Sequence, residues 1–295
     1  MVHGKGRRPE QREQFQRFKD PSQALESFRG DPQFAMTLGK GLAVLRCFSA
    51  ESPTLANKDI VQQTGFDKAT VSRLTYTLVS LGYLDVDRPS RHYRLGSAVL
   101  AMGYPLLTHL QLRQMARPFM AELDREIGGA VCLGVRDRLN MTYVEVCKSP
   151  DRFESRSADV GLSVPLLGTA IGHAYIAACD AKTRQAIINE LRIKLPEPWA
   201  QYGEKLLADI ASFRQEGCCI SYASLSSEVC AIAMPFKTVP GAPLAAFSCV
   251  LNANRHSDHS LRQEVLPLLR KLILQLRSLS GSNIALSHEA RAGAR

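Results

Sequence analysis

Apolar positions along the chain change period several times, and each change marks an element. From Thr37, Leu38, Leu42, Leu45 and Phe48 recur at helical spacing until Glu51-Ser52-Pro53 breaks the run. A short second helix is predicted over 57–63, burying Ile60 and Val61, and Gly65 then offers the positive φ of a tight turn. Asp67 is a good N-cap for a third helix from Lys68 to Leu81, which Gly82 stops. Tyr83–Asp87 and His92–Leu95 read as two short strands around Arg88-Pro89-Ser90-Arg91. Helix, helix, turn, helix and hairpin over 36–96 is the order of a winged helix-turn-helix.

Residues 1–35 are polar and mixed in charge, with Pro9, Pro21 and Pro32, and predict a disordered basic arm with a transient helix near Glu10–Lys19. Residues 97–111 are apolar nearly all round. Such a helix has to be buried, either in a subunit interface between two domains or against its own chain, and Pro105 should bend or split it. A second domain, 112–280, opens with an amphipathic helix carrying Met115, Phe119, Leu123 and Ile127. Strand-like runs follow at 130–135, 141–147 and 155–160, and helices near 169–179, 181–192 and 203–216. Strands near 218–222, 229–236 and 244–251 precede a last helix over 260–280, whose apolar stripe includes Leu261, Val265, Leu269, Leu272 and Leu276. This order predicts an α+β class with a central antiparallel sheet. Residues 281–295 read as a flexible tail.

Periodicity also orients the third helix. At about 100° per residue, Val71, Leu74, Leu78 and Leu81 fall on one side and should face the core. The opposite side carries Ala69, Ser72, Arg73, Tyr76 and Ser80, flanked by Lys68 and Thr77. That face is small, polar and basic, which suits entry into a DNA major groove, with Arg73 able to pair with a guanine edge. Candidate DNA contacts are therefore Lys68, Ala69, Thr70, Ser72, Arg73 and Tyr76, with Arg88 and Arg91 at the hairpin tip reaching the backbone or minor groove.

Charge agrees with an acidic partner. The net charge is +9, and residues 1–112 carry 15 Lys/Arg against 10 Asp/Glu, so the excess is denser at the front. No window reaches the roughly 18 apolar residues of a membrane span, and the N-terminus has no apolar core of a secretory signal. The eight cysteines show no CxxC pair and no zinc spacing, so no metal or cofactor is expected. Most lie in apolar runs, as buried reduced thiols of a cytoplasmic protein do. The vicinal Cys218-Cys219 is the exception to watch for redox chemistry.

Leu38-Gly39-Lys40-Gly41-Leu42-Ala43-Val44-Leu45, the run Thr64 to Leu74, Leu81-Gly82-Tyr83-Leu84 and Tyr93-Arg94-Leu95-Gly96 together resemble the N-terminal domain of the IclR family of bacterial regulators. Gly161 to Ala174 is similar to that family's Pro-Leu…Thr-Ala-x-Gly-Lys-Ala stretch, and Ala231 to Phe236 to its Ile-Ala-x-Pro-Val segment. The resemblance covers about residues 36–280. It implies a winged helix joined by a linker helix, 97–111, to a GAF-like effector-binding domain. It also implies homodimers or homotetramers that repress or activate catabolic operons in response to aromatic or other small organic acids. Three positions depart from the pattern: Ser72 replaces a common aromatic, His173 the usual Lys, and Glu228 a frequent Gly.

Carried over position by position, the resemblance implies a pocket lined by Ser221, Val229, Ala231 and Ser248, with Cys230 and Cys132 beside them. Gly168-Thr169-Ala170 leads into a helix whose free N–H groups suit a carboxylate. Val250 and the neutral Ser221 stand where some relatives are more polar, so the expected ligand is more apolar than a two-carbon acid, an aromatic carboxylate for instance. Two other readings stay open at this level: a thiol-dependent enzyme and a protein-interaction module that uses the winged helix without DNA. No Cys/His/Asp arrangement can be picked out for the first, and His173 reads as a surface or supporting residue.

Overall fold

The computed structural model describes residues 23–26, 28–149, 158–222, 227–237 and 243–292. They divide into two compact units, Met1–His109 and Leu110–Arg295. The first contains α1 (Gln23–Glu26), α2 (Met36–Arg46), β1 (Thr54–Leu55), α3 (Asn57–Thr64), α4 (Lys68–Ser80), β2 (Leu84–Val86), β3 (Tyr93–Leu95) and α5 (Ser97–His109). The strands form an antiparallel sheet in the order β1-β3-β2. Two-residue β1 is too short to leave a periodic signal, and the sequence reading missed it. Val44, Phe48, Leu55, Ile60, Val71, Leu78 and Leu84 make the core of this unit.

The arm expected over 1–35 is partly folded. Its first 22 residues, with the helix anticipated at Glu10–Lys19, lie outside the described residues. Beyond them Phe28 and Phe34 stack with centroids 4.4 Å apart, and a Cβ on Gly39 would come within 2.8 Å of Leu25 and 2.9 Å of Phe34. These side chains lie on α2 where only a glycine admits them. Helix α5 runs through Pro105 unbroken, and the chain turns at Leu110 instead. The carbonyl that Pro105 cannot serve belongs to Ala101, which is exposed to water.

The second unit contains α6 (Gln111–Ile127), β4 (Ala130–Asp137), β5 (Asn140–Lys148), β6 (Ser163–Pro165), α7 (Ala170–Ala178), α8 (Ala181–Lys194) and α9 (Pro196–Glu216). After these come β7 (Cys219–Tyr222), β8 (Val229–Phe236), β9 (Ala245–Asn252), α10 (Asp258–Ser260), a π-helical turn at Leu261–Val265 and α11 (Leu266–Ala292). The strands form one antiparallel sheet in the order β6-β5-β4-β9-β8-β7. Helix α7 covers one face, backed by α8 and α9, while α6 and α11 flank β4, β5 and β8 from the other. The α+β class and the antiparallel sheet are as expected.

Three elements differ from the sequence reading. The edge strand lies at Ser163–Pro165 rather than 155–160: residues 158–160 are not strand, and 155–157 are outside the described residues. Helix α9 begins at Pro196 instead of 203, because a proline at the first helical position loses nothing by lacking an N–H. Helix α11 continues past Gly281 to Ala292, where a flexible tail was expected, since a single glycine costs a helix only about 1 kcal/mol.

Among the described glycines of this unit the least room is at Gly172 in α7, where a Cβ would meet the Leu166 carbonyl oxygen at 2.1 Å and its Cα at 2.5 Å. Backbone cannot yield as a side-chain tip does. Gly172→Ala is therefore expected to destabilise the second unit by about 3 kcal/mol, the upper part of the usual overpacking range. Chemical denaturation of the variant beside the wild type measures this, and a midpoint unchanged within error contradicts it.

Candidate functional site

In the first unit, the geometry of α4 follows from the turn before it. Gly65 takes φ +65°, and its N–H donates to the Val61 carbonyl, closing α3. Asp67 then caps α4, its carboxylate accepting the Thr70 N–H at 2.8 Å and the Thr70 hydroxyl at 2.6 Å. These bonds from Thr70 hold the Asp67 carboxyl below its usual range. Thr70, a candidate DNA contact, thus has its hydroxyl committed to the cap. Val71, Thr75 and Leu78 are buried and Leu74 half-buried. Leu81, expected in the core stripe, is 61% exposed, because the helix has ended and Leu81 is its C-cap residue. Thr75 takes the core place, its hydroxyl donating to the Val71 carbonyl at 3.0 Å.

Lys68, Ala69, Ser72, Arg73 and Tyr76 lie together on the exposed face of α4, Tyr76 being 75% exposed. Ser72 accepts a bond from the Asn57 amide at 3.3 Å, which joins this face to the start of α3. In the hairpin, Asp87 organises the tip by accepting the Ser90 N–H and hydroxyl, while its carbonyl accepts the Arg91 N–H at 2.8 Å. Arg88 and Arg91 are both exposed, and Arg91 sits at φ +56°, a left-handed conformation uncommon for a residue with a Cβ. Charge and shape on α4 and the hairpin can serve a polyanion.

In the second unit, strand register sorts the candidate pocket residues. Ser248 pairs with Cys132 on one side and Ala233 on the other, Ala231 with Val250 and Ser221, and these side chains share the face under α7. Val229 lies on the same face. Cys230 does not: alternation turns it, with Tyr222, to the opposite side, where its thiol meets the Leu251 carbonyl. Cys230 is therefore removed from the pocket lining. The Ser248 hydroxyl is 1% exposed and has no hydrogen bond of good geometry among the described residues, its polar neighbours being the Tyr143 phenol and the Cys132 thiol.

The bend entering α7 is more occupied than expected. Thr169 is its N-cap and accepts the Gly172 N–H at 3.2 Å. The Gly168 N–H donates to His173 Nε2 at 2.9 Å, and the Ala170 N–H to Ser221 Oγ at 3.1 Å. Of the expected Gly168-Thr169-Ala170 donors, the Gly168 and Ala170 N–H groups are therefore engaged, while those of Thr169 and Ile171 have no partner among the described residues.

His173, expected as a surface or supporting residue, is not on the surface and supports the bend from within. It is 1% exposed, and its Nδ1 lies 2.6 Å from Asp209 on α9. With Nε2 accepting from Gly168, Nδ1 must carry the proton and donate to the carboxylate. Lys205 bonds the other Asp209 oxygen and also donates to the Ile220 carbonyl at 3.3 Å. Burial pushes the His173 pKa down, against the upward pull of Asp209, and the net value is below 6.5. Burial also raises Asp209, but the bonds from His173 and Lys205 outweigh it and hold the carboxyl below 3.8. The imidazole is thus neutral, and the nitrogen a general base would use is already engaged. All eight cysteines are buried, and burial raises the Cys218 and Cys219 pKa values, so these thiols stay protonated and poorly nucleophilic.

Comparison with known proteins now bears on both units. A family model for the IclR helix-turn-helix domain matches residues 37–88, and one for the C-terminal domain of bacterial IclR transcriptional regulators matches 105–277. The HTH-type transcriptional regulator TsaQ1/TsaQ2 of Comamonas testosteroni is 33% identical over 261 residues, 88% of this chain and 92% of that protein. The chain belongs to the IclR family of bacterial transcriptional regulators. The p-hydroxybenzoate hydroxylase transcriptional activator of Acinetobacter baylyi is 27% identical, covering 82% of this regulator and 90% of its own length. The crystal structure of an IclR family transcriptional regulator from Brucella abortus superposes with a TM-score of 0.75 at 33% identity, covering 84% of this chain and 94% of that one. These IclR relatives are regulators and not enzymes.

The His173 network makes the stability of this regulator depend on pH in a defined direction. The folded pKa lies below the unfolded 6.5, so the contribution is complete above 6.5 and is lost as pH falls from there through the folded value. Asp209, held below 3.8, keeps its bonds through that window. The denaturation midpoint is expected to fall between pH 7 and pH 5 in the wild type, and less steeply in His173→Asn. Parallel slopes for the two proteins would exclude the assignment of a neutral His173.

Proposed function

We propose that this IclR-family regulator binds a double-stranded DNA operator as a homodimer or homotetramer in the cytoplasm, under the control of a small aromatic acid held in its second unit. The observation that carries the DNA reading is the exposed face of α4, small and basic, with a buried stripe that fixes its direction. Lys68, Ala69, Ser72, Arg73 and Tyr76 would meet base edges and phosphates, with Thr70 acting through the cap. Arg88 and Arg91 would follow the backbone or minor groove. Association of two copies is supported by α5, which buries none of its residues within the chain and exposes Leu100, Met102, Tyr104 and Leu106. Among the described residues no helix is long and apolar enough to cross a membrane.

The effector reading rests on the mixture under α7. Val229, Ala231 and Val250 offer an apolar wall, Ser221 and the unpartnered Ser248 offer hydroxyls, and the Thr169 and Ile171 N–H groups suit one carboxylate. Relatives named for the Pca regulon of Pseudomonas putida and for p-hydroxybenzoate hydroxylase point to aromatic catabolism. Calorimetry with 4-hydroxybenzoate, benzoate, pyruvate and glyoxylate tests the class: the aromatic acids are expected to bind, and tight binding of only the short acids refutes it.

Arg73→Ala is expected to remove the specific, salt-dependent gel shift on the DNA upstream of the gene, with a loss of roughly 5- to 150-fold per half-site. Aromatic-acid affinity should stay within a few-fold of wild type. Loss of both activities together would argue against two separable sites.

A further inference from the structure

The bonds around the α7 bend close into a ring. Gly168 N–H donates to His173, His173 to Asp209, Lys205 to Asp209 and to the Ile220 carbonyl, and the next residue, Ser221, accepts the Ala170 N–H. The ring thereby begins and ends on the same three-residue bend, passing through α7, α9 and β7. We infer that His173, Asp209 and Lys205 are positioning residues that hold the Gly168–Ala170 bend in its anion-receiving shape, so that effector affinity is controlled from helix α9.

The inference rests on the effector reading above, but its geometric half stands alone. Gly168 lies at φ +86°, and a Cβ there would press on the Tyr202 ring at 3.1 Å. The bond to His173 Nε2 is the one side-chain contact that engages its N–H among the described residues. With the Gly168, Ala170 and Gly172 N–H groups taken by His173, Ser221 and Thr169, the donors left at the start of α7 are those of Thr169 and Ile171. Two N–H groups match the two oxygens of a single carboxylate. The Ser248 hydroxyl, buried on the sheet face that α7 covers and without a hydrogen bond of good geometry among the described residues, is an independent sign of a polar guest.

The charges explain why Lys205 matters although its side chain is half exposed. Asp209 is the anion of the ring, and Lys205 neutralises it from the solvent side. Without that ammonium the carboxylate would act on His173 alone and favour the imidazolium. An imidazolium has a proton on Nε2, and this N–H would then face the N–H of Gly168, two donors with no acceptor between them. Of the other groups around α7, Tyr202 on α9, Cys219 on β7 and Tyr143, Cys132 and Ser248 on β5, β4 and β9 are neutral, while Arg136 on β4 acts on Tyr175 and Arg184 on α8 bonds the Cys179 carbonyl at the far end of the helix. Burial holds His173 neutral, and Asp209 and Lys205 are the charged groups that act on its protonation in opposite directions.

The test compares full-length wild type, Lys205→Met, His173→Asn and His173→Gln. Hydrogen exchange over the bend, ¹⁵N imidazole shifts and calorimetry with 4-hydroxybenzoate are the measurements. Lys205→Met keeps the apolar stem of a half-exposed side chain and should fold. Its bend amides are expected to exchange at least tenfold faster, its His173 to titrate at higher pH than in the wild type, and its 4-hydroxybenzoate affinity to drop at least tenfold. His173→Asn retains a donor for Asp209 but has no acceptor within reach of Gly168, and should behave likewise. His173→Gln, whose carbonyl reaches as far as Nε2, should restore protection and affinity in part. Exchange and affinity within twofold of wild type in both Lys205→Met and His173→Asn overturn the inference. If the wild type binds no aromatic acid while exchange responds as described, the relay stands and the effector reading falls.

Discussion

Both faces of the six-stranded sheet are covered by helices, and that double burial governs the second unit. In β9 every residue from Ala245 to Leu251 is buried, so neither register nor face can slip without placing a side chain against the wrong layer. A polar group admitted to such a sheet must bring its partner. Glu145, 1% exposed, is met by Arg117 at 2.8 Å and Arg113 at 2.9 Å from α6, which fastens that helix to β5. His173 has Asp209 and Gly168. Ser248 has only the Tyr143 phenol and the Cys132 thiol beside it and no hydrogen bond of good geometry among the described residues, which is what sets it apart.

The same constraint separates what the chain reveals in one dimension from what it conceals. The direction of α4 was legible because Val71 and Leu78 repeat at helical spacing and Asp67 announces the start. Leu81 was misread because spacing carries no information about where the last turn ends, and Thr75 was overlooked because its hydroxyl is satisfied by its own helix. Cys230 could have been excluded from sequence: placed on a strand with Val229 and Ala231, it must face the other way. The pairing of His173 with Asp209 spans 36 residues and two helices, and no local pattern encodes it. Of the pocket positions, Ser221, Val229, Ala231 and Ser248 share one face, while the donors at the bend are redistributed by side chains distant in sequence.

The two units use polar chemistry differently. On α4 the polar residues are exposed, and on the proposed reading they exchange water for a polyanion. In the second unit the polar groups are few and buried, and His173, Asp209 and Lys205 are joined to one another. On the proposed reading a ligand meets the donors that this ring leaves over, and a change in the ring is felt at the bend. A regulator needs this asymmetry: one surface that adapts to its partner and one interior that has a small number of discrete arrangements.

Arg91 at the hairpin tip carries a consequence of another kind. Its left-handed backbone costs on the order of 1 kcal/mol that a glycine would not. The turn Asp87–His92 is held together by Asp87, yet its tip carries a cation in a conformation that disfavours side chains. Stability and charge presentation are therefore opposed at this position. Sequence changes that make this turn more robust would take the cation from its tip, and selection for tight folding alone would erode it.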